Sequence, residues 1–389
     1  MTSQNDLRND LAMDFEVSAV TPQPPAPDEP GPSTFTSLLQ HPDIAARFSR
    51  VRRYFFLRES TYDMTARCNL RCDGCYYYAG DKHDVEDNPD LEAWRRLFRT
   101  EKARGITFVV LAGAEPALVP ARLATCFAEI PLGAIATNGL IPIPAGVGYR
   151  IHISVWGNDV TSQRIRGAPH MLERQIEAYA GDPRAVFVYT FTRDNVAEAA
   201  PVVEQLAGRG CLVTFNTFSS AVGYRGALTH TQASLTQVRH TMLRLLRDFP
   251  GQVVYSPYSA AVHTHERSLH ALFSCPYPRQ NRTQFGLGRS FRQYRSDLTW
   301  SPEAACCVPD TDCADCRHYA AGSAIVTARM NRHVGSAEQF RAWLDYVDTY
   351  LAVWVPGYGK SPNLVALPPS PALASSAAVA CPRPPGLNP

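Results

Sequence analysis

The sequence predicts an α/β barrel, partial or complete, that gives way to a smaller, irregular domain. Three observations predict it. Between residues 60 and 260 short apolar runs alternate with segments of helical length, the pattern of βαβ units around a parallel sheet. The alternation stops near residue 260, and the chain beyond it is rich in Cys, Arg, Tyr and Pro. Three cysteines sit directly after the first apolar run, in "TARCNLRCDGCYYYAG" (65–80).

The elements follow in order. "STYDMTA" (60–66) is a strand leading into the cysteines. A helix is expected over 89–104, with Asn88 as its cap, Pro89 at its first position and Gly105 as its stop. Strands are then expected at "ITFVVL" (106–111), "GAIAT" (133–137), "YRIHIS" (149–154), "AVFVYTF" (185–191), "CLVTFN" (211–216) and "QVVY" (252–255). Segments 169–180, 195–208 and 231–248 read as helices between them. Such units join by right-handed crossovers, and ligands of the resulting barrels lie at the strands' C-terminal ends. The three-cysteine loop falls there.

Past residue 260 the next clear element is a helix at 337–354. Ser336 and Gln339 have the spacing of a capping box, and Phe340, Trp343, Leu344, Val347, Leu351 and Trp354 share one face. That stripe reads as packing. The irregular part before it needs another source of order, such as a metal centre. The Pro-rich residues 21–33 and the Pro/Ala-rich tail are too poor in apolar surface to order themselves. The expected organisation is a largely disordered segment at 1–50, the barrel at 51–260, a Cys-rich domain with its helix at 261–360, and a disordered tail at 361–389.

With 389 residues, 45% of them hydrophobic, the chain can bury a large core. A net charge of +2 without a long basic run gives no ground for a nucleic-acid or anionic-membrane partner. No apolar run approaches the ~20 residues of a membrane span. The N-terminal "MTSQNDLRNDLAMDFEVSAV" lacks the apolar core of a signal peptide, so a cytoplasmic protein is expected. There, the eleven cysteines are not read as structural disulfides. Metal ligation or reactive thiols fit better, because seven of the eleven fall in two tight groups and a pair. Cys126 and Cys211 read as small buried apolar residues.

What needs three thiols on one loop? A lone C-x-x-C reads as half a zinc knuckle or as a redox pair. Structural zinc takes four ligands, commonly as two pairs, whereas here only His83 adds a Cys or His within twenty residues of the trio. A [4Fe–4S] cube takes four thiolates. Three would leave one iron open, and an open position marks a reactive metal rather than a structural one.

"CNLRCDGCY" (68–76) resembles the C-x-x-x-C-x-x-C signature of the radical S-adenosylmethionine (SAM) enzymes. Four further segments carry the resemblance over about 60–260. "LAGAEP" (111–116) is similar to the family's Gly-Gly-Glu-Pro turn, with Ala114 replacing one glycine. "ATNG" (136–139) resembles the turn after the fourth strand. "ISVWGNDVTSQRIRG" (153–167) resembles a segment with Ser at a strand end and Arg-Gly about a dozen residues later, and "FTRDN" (191–195) the segment after the next strand.

The resemblance implies a (β/α)6-type partial barrel with a [4Fe–4S] cluster on Cys68, Cys72 and Cys75 as the catalytic ligands. SAM would chelate the fourth iron through its amino and carboxylate groups. One electron from an external donor such as flavodoxin or ferredoxin would then release methionine and a 5′-deoxyadenosyl radical that abstracts a substrate hydrogen. The hard chemistry belongs to the cofactor. The resemblance also places Gly113, Ala114, Glu115 and Pro116 by the methionine amino group and Ser154 by the ribose, with Tyr76, Asn138, Arg166 and Thr192 as further cofactor-binding residues. One departure stands out. The family often has an aromatic just before the third cysteine, near the adenine, and this chain has Gly74, which reads as a loop position with positive φ. Tyr76 or Tyr77 is then the compensating ring.

Downstream, Cys275, Cys306, Cys307, Cys313 and Cys316 offer a further set of thiols. They read as a second [4Fe–4S] cluster similar to those of the SPASM and Twitch extensions, though the spacing does not reproduce the long SPASM pattern. The expected ligands are Cys275, Cys307, Cys313 and Cys316, with Cys306 as substitute, because adjacent cysteines do not readily ligate one centre. A structural zinc site and unpaired buried cysteines are the alternatives. Tyr189, Thr192, Asn216, Tyr255 and Tyr258 read, from the residues alone, as packed strand-end residues near the mouth. His263, His265 and His270 are expected to be solvent-exposed. The expected function is a radical SAM enzyme modifying a small molecule in specialised metabolism, since the fifty or so residues before the barrel do not read as a leader-binding domain. The alternatives are peptide modification (RiPP maturation) and, in another class, a non-enzymatic iron–sulfur or zinc protein that senses redox state.

Overall fold

The computed structural model describes residues 35–79, 81–273, 291–300 and 311–358. After helix α1 (Pro42–Val51) come β1 (Glu59–Asp63), α2 (Leu91–Ala103), β2 (Phe108–Ala112), α3 (Pro120–Glu129), β3 (Gly133–Thr137) and β4 (Arg150–Val155). Helices α4 (Asp159–Arg166) and α5 (Met171–Tyr179) lead to β5 (Ala185–Phe191), then α6 (Ala199–Gly208), β6 (Val213–Thr217), α7 (Gln232–Asp248), α8 (Pro257–His263) and α9 (Leu269–Phe273). The remainder is β7 (Gln293–Tyr294), α10 (Tyr319–Thr327) and α11 (Ala337–Trp354).

All strand pairs of the sheet are parallel, and the spatial order is β6-β5-β4-β3-β2-β1-β7. Each unit from β1 to β6 lands beside the one before it. With right-handed crossovers that order puts the helices on one face and curls the sheet as a barrel does. The curl stays open, because β6 and β1 do not pair. The fold is therefore the expected α/β partial barrel of six units. Its strands are buried on both faces, as a helix-covered parallel sheet requires: all seven residues of β5 are buried.

The sequence reading errs in four places. Helix α2 starts at Leu91 under Asp90, whose carboxylate accepts the Glu92 N–H at 2.8 Å, while Asn88 turns back to accept from Asp90 N at 2.9 Å. "QVVY" forms a single bridge, Val253 to Val213, because Ser256 caps α8 and Pro257 starts it two residues on. The turn at 136–139 follows the third strand, not the fourth. His263 is buried, hydrogen-bonded to Arg317 O at 2.7 Å and to the Tyr346 hydroxyl at 2.8 Å.

The stretch after residue 260 is woven into the barrel. β7 pairs with β1 at the sheet's edge. Helix α11 buries its expected stripe of Phe340, Trp343, Leu344, Val347, Leu351 and Trp354, and ion pairs join it to α1: Arg47 with Asp345 and Asp348, Arg341 with Asp43. At its other end Arg150 of β4 donates to Val353 O (3.1 Å) and Ala352 O (2.9 Å), two of the carbonyls a helix terminus leaves unpaired. The described residues up to Pro356 form one compact unit. No described helix is long and apolar enough to cross a membrane.

Candidate active site

The C-terminal ends of β1 to β6 surround a cavity of ≈ 210 Å³. Cys68, Cys72 and Cys75 line it from the loop after β1. That loop is held on three sides by backbone and amide bonds. From the turn after β2, Ala114 N donates to Thr65 O and Glu115 N to Arg67 O, both at 3.1 Å. From the turn after β3, Asn138 Nδ2 donates to Asn69 Oδ1 at 2.7 Å. Toward α4, Asp73 N donates to Ile165 O at 2.8 Å. These bonds give a long irregular loop one shape, as the placing of three ligands demands.

Gly113 makes the β2 turn possible. Its φ is +103°, and a Cβ there would lie 2.9 Å from Thr65 O, so only glycine lets the turn approach the cysteine loop. Glu115, 1% exposed, is engaged with protein at both oxygens: Oε1 accepts from Ala117 N (2.9 Å) and Thr137 Oγ1 (2.7 Å), Oε2 from Asn138 N (2.7 Å). Its carboxylate splices the β2 turn to the β3 turn. Pro116 opens the following 3₁₀ turn and, unlike Gly113, Ala114 and Glu115, does not line the cavity.

Ser154, Arg166, Asn138 and Tyr76 line the cavity as well. The Ser154 carbonyl accepts from Arg166 Nη1 and from Gln175 Nε2, and its hydroxyl accepts the Trp156 indole N–H at 2.8 Å. Thr192 is buried away from the lining, its N–H given to Asn195 Oδ1. Tyr189 likewise turns into the wall, donating to Asn195 O. The far wall holds Val188, Thr190 and Asn216 of the strands with His318 and Tyr319 at the start of α10. Asn216 Oδ1 accepts Tyr319 N at 3.0 Å, and the Tyr319 hydroxyl donates to His152 Nδ1 at 2.7 Å. Burial pushes His152 down to about 3, so it stays neutral, with Nε2–H donating to Val353 O.

The thiols themselves bear on what they hold. Burial pushes Cys68 up to about 11 and raises Cys75, so as free side chains these two are protonated at neutral pH. A positive metal centre supplies the charge that would keep them as thiolates. Only Asp159, His170 and Glu173 on the surface form a described trio whose ligand atoms all lie within 4.8 Å of one another. Cys68, Cys72 and Cys75 all line this one cavity, each partly buried.

The second cysteine group is described only in part. Cys275, Cys306 and Cys307 lie outside the described residues; Cys313 is exposed and Cys316 is 7% exposed. Segment 311–319 is laced to the loop after β6. Asp312 N donates to Ser220 O, Ser220 N to Asp315 Oδ2, Arg317 N to Ser219 Oγ, and Thr311 bridges Ala221. Cys313 and Cys316 therefore sit at the cavity's rim, whose lining includes Thr311 and His318.

With this geometry in view, the chain compares with solved structures as follows. It is similar to SuiB from Streptococcus suis bound to the precursor peptide SuiA, at 14% identity and TM-score 0.48, over 77% of this chain and 70% of that one. It is similar to anSMEcpe with bound AdoMet, at 12% identity and TM-score 0.45, over 76% and 97%. It is similar to methylornithine synthase (PylB), at 12% identity and TM-score 0.37, over 57% and 71%. No protein-family model and no curated protein matches. At these identities and TM-scores, what each neighbour binds or makes stays with that protein.

Sequence reasoning missed His152, Trp156, Phe218, His318 and Tyr319. They reach the cavity from β4 and its end, the end of β6 and the start of α10, and no spacing along the chain announces them.

Proposed function

We propose that this chain is a radical SAM enzyme. One observation carries the reading: three cysteines, fixed on the loop after the first strand, open together into the mouth cavity of a partial barrel. Cys68, Cys72 and Cys75 hold a [4Fe–4S] cluster whose fourth iron is left to SAM. When bound, the cluster supplies the electron that cleaves the sulfonium of SAM.

The chain's own residues hold and orient. The β2 turn at Gly113–Glu115 keeps the cysteine loop in register. Ser154, whose oxygen takes the Trp156 N–H, has its own O–H left to donate to the ribose. Glu115 and Arg166 are the charged side chains of the described lining, and both lie on the cysteine side. The far wall presents neutral groups, among them Val188, Thr190, Asn216 and Tyr319. The part of the substrate that enters is accordingly uncharged, since an unpaired buried charge is costly. A peptide segment and a small molecule both offer such a part, and the reading includes both. An external one-electron donor and a second cluster on Cys275, Cys307, Cys313 and Cys316 complete it, the position of Cys313 and Cys316 at the rim being what supports the latter.

The test is anaerobic reconstitution with iron and sulfide, reduction with dithionite and chromatography for 5′-deoxyadenosine. Formation of 5′-deoxyadenosine with methionine, dependent on SAM and absent from Cys68→Ala, is expected. A fully loaded, reduced protein that leaves SAM intact would contradict the proposal.

A further inference from the structure

The cysteine loop carries no side chain at position 74, and the space there is taken from across the cavity. A Cβ at Gly74 would meet the Phe218 ring at 3.0 Å and Leu228 at 3.1 Å, and its φ of +66° already favours glycine. Phe218, just past β6, is 4% exposed and lines the cavity. Its ring stands edge-on to Trp156, with centroids 5.8 Å apart and planes at 71°, and Tyr224 backs it at 5.7 Å. Trp156, just past β4, lines the same cavity and is fixed by its bond to Ser154 Oγ. Two strand ends thus bring fixed, flat, apolar surface against the cysteine loop, beside the serine hydroxyl.

We propose that Phe218, buttressed by Trp156, is the ledge on which the adenine of SAM stacks, in place of a side chain at position 74. The assignment rests on the radical SAM reading and adds a specificity residue to it. Every purine presents a π face, and an aromatic ring beneath it, held rigid by its neighbours, stacks without loss of side-chain freedom. Gly74 and Phe218 then form one device: the glycine is bare because the ring sits over it. Ser154, oriented by the same Trp156, meets the ribose next to the stacked base.

Equilibrium binding of SAM, 5′-deoxyadenosine and L-methionine to anaerobic, cluster-loaded protein tests this. Methionine can chelate the open iron but has no purine, so it does not reach the ledge. In Phe218→Ala and Phe218→Leu, SAM and 5′-deoxyadenosine should both bind about five- to a hundredfold more weakly, with methionine within about twofold of wild type. Phe218→Leu keeps apolar bulk against Gly74 and Leu228, so it decides if Phe218→Ala loses iron. Phe218→Tyr, which keeps the ring, should bind SAM as wild type does. Unchanged SAM affinity in Phe218→Leu overturns the ledge and leaves the radical SAM reading standing. Loss of iron, or an equal loss of methionine binding, in Phe218→Leu also overturns it, because the ring then only packs the cysteine loop. Wild-type loaded protein that binds none of the three overturns both.

Discussion

Glu115 shows how much of the candidate site is internal wiring. Its oxygens accept two backbone N–H groups and the Thr137 hydroxyl, so a glutamine there would turn a donor amide toward donors. Glu115→Gln should therefore cost about 2–3 kcal/mol, read as a lower urea midpoint with an unchanged m-value. Gly113→Ala sets a Cβ against Thr65 O at 2.9 Å and should displace the cysteine loop, lowering the iron bound after reconstitution. Replacing Cys68, Cys72 and Cys75 together by alanine should remove about four irons of about eight; a count that stays level would place the metal elsewhere. The place of these residues at the cavity was legible in the sequence because a cysteine trio on one loop and a tight turn obey local rules of spacing and backbone conformation. Trp156, Phe218, His318 and Tyr319 were not, since only tertiary packing gathers them. The resemblance makes Thr192 a cofactor-binding residue, but the buried Asn195 takes its N–H and the residue lies away from the lining.

Among the elements, α11 has the most consequential attachment. Arg150, brought down to about 10 by burial, spends its guanidinium on the last carbonyls of α11 and on Pro183 O. Arg150→Met removes these donors from buried acceptors and should destabilise the chain by about 2–4 kcal/mol, with α11 losing hydrogen-exchange protection first. The helix was visible in advance because its apolar period is long and its Ser336 cap is local. Its tether was not, because Arg150 lies some two hundred residues away and reads as a strand-end charge. The α2 boundary failed for another reason: Asn88 and Asp90 are both good caps, and only packing chooses between them. β7, two residues long, is too short to leave a pattern.

At the scale of the whole molecule, buried neutral histidines make stability depend on pH. Burial pushes His152 down to about 3 and His230, His263 and His333 to about 4. In the unfolded chain each takes up a proton near pH 6.5 that the folded protein refuses. Their contribution is therefore complete above about pH 6.5 and is lost as pH falls toward 4, by on the order of 1 kcal/mol per histidine at pH 5.5. Thermal midpoints should drop steeply between pH 7 and pH 5.5, and a flat profile over that range would contradict the burial. The barrel itself was legible from alternation alone. What alternation could not reveal is that the chain beyond residue 260 returns to it through β7, α10 and α11, because such long-range closure has no local signature.

The central claim is a cubane cluster on Cys68, Cys72 and Cys75 with an iron open to SAM. Electron paramagnetic resonance of the anaerobically reconstituted, reduced protein tests it most directly. The account predicts a reduced [4Fe–4S] signal that shifts when SAM is added and is missing from the variant with all three cysteines changed to alanine. A bound zinc ion in that loop, or a signal indifferent both to SAM and to loss of the three cysteines, would contradict it.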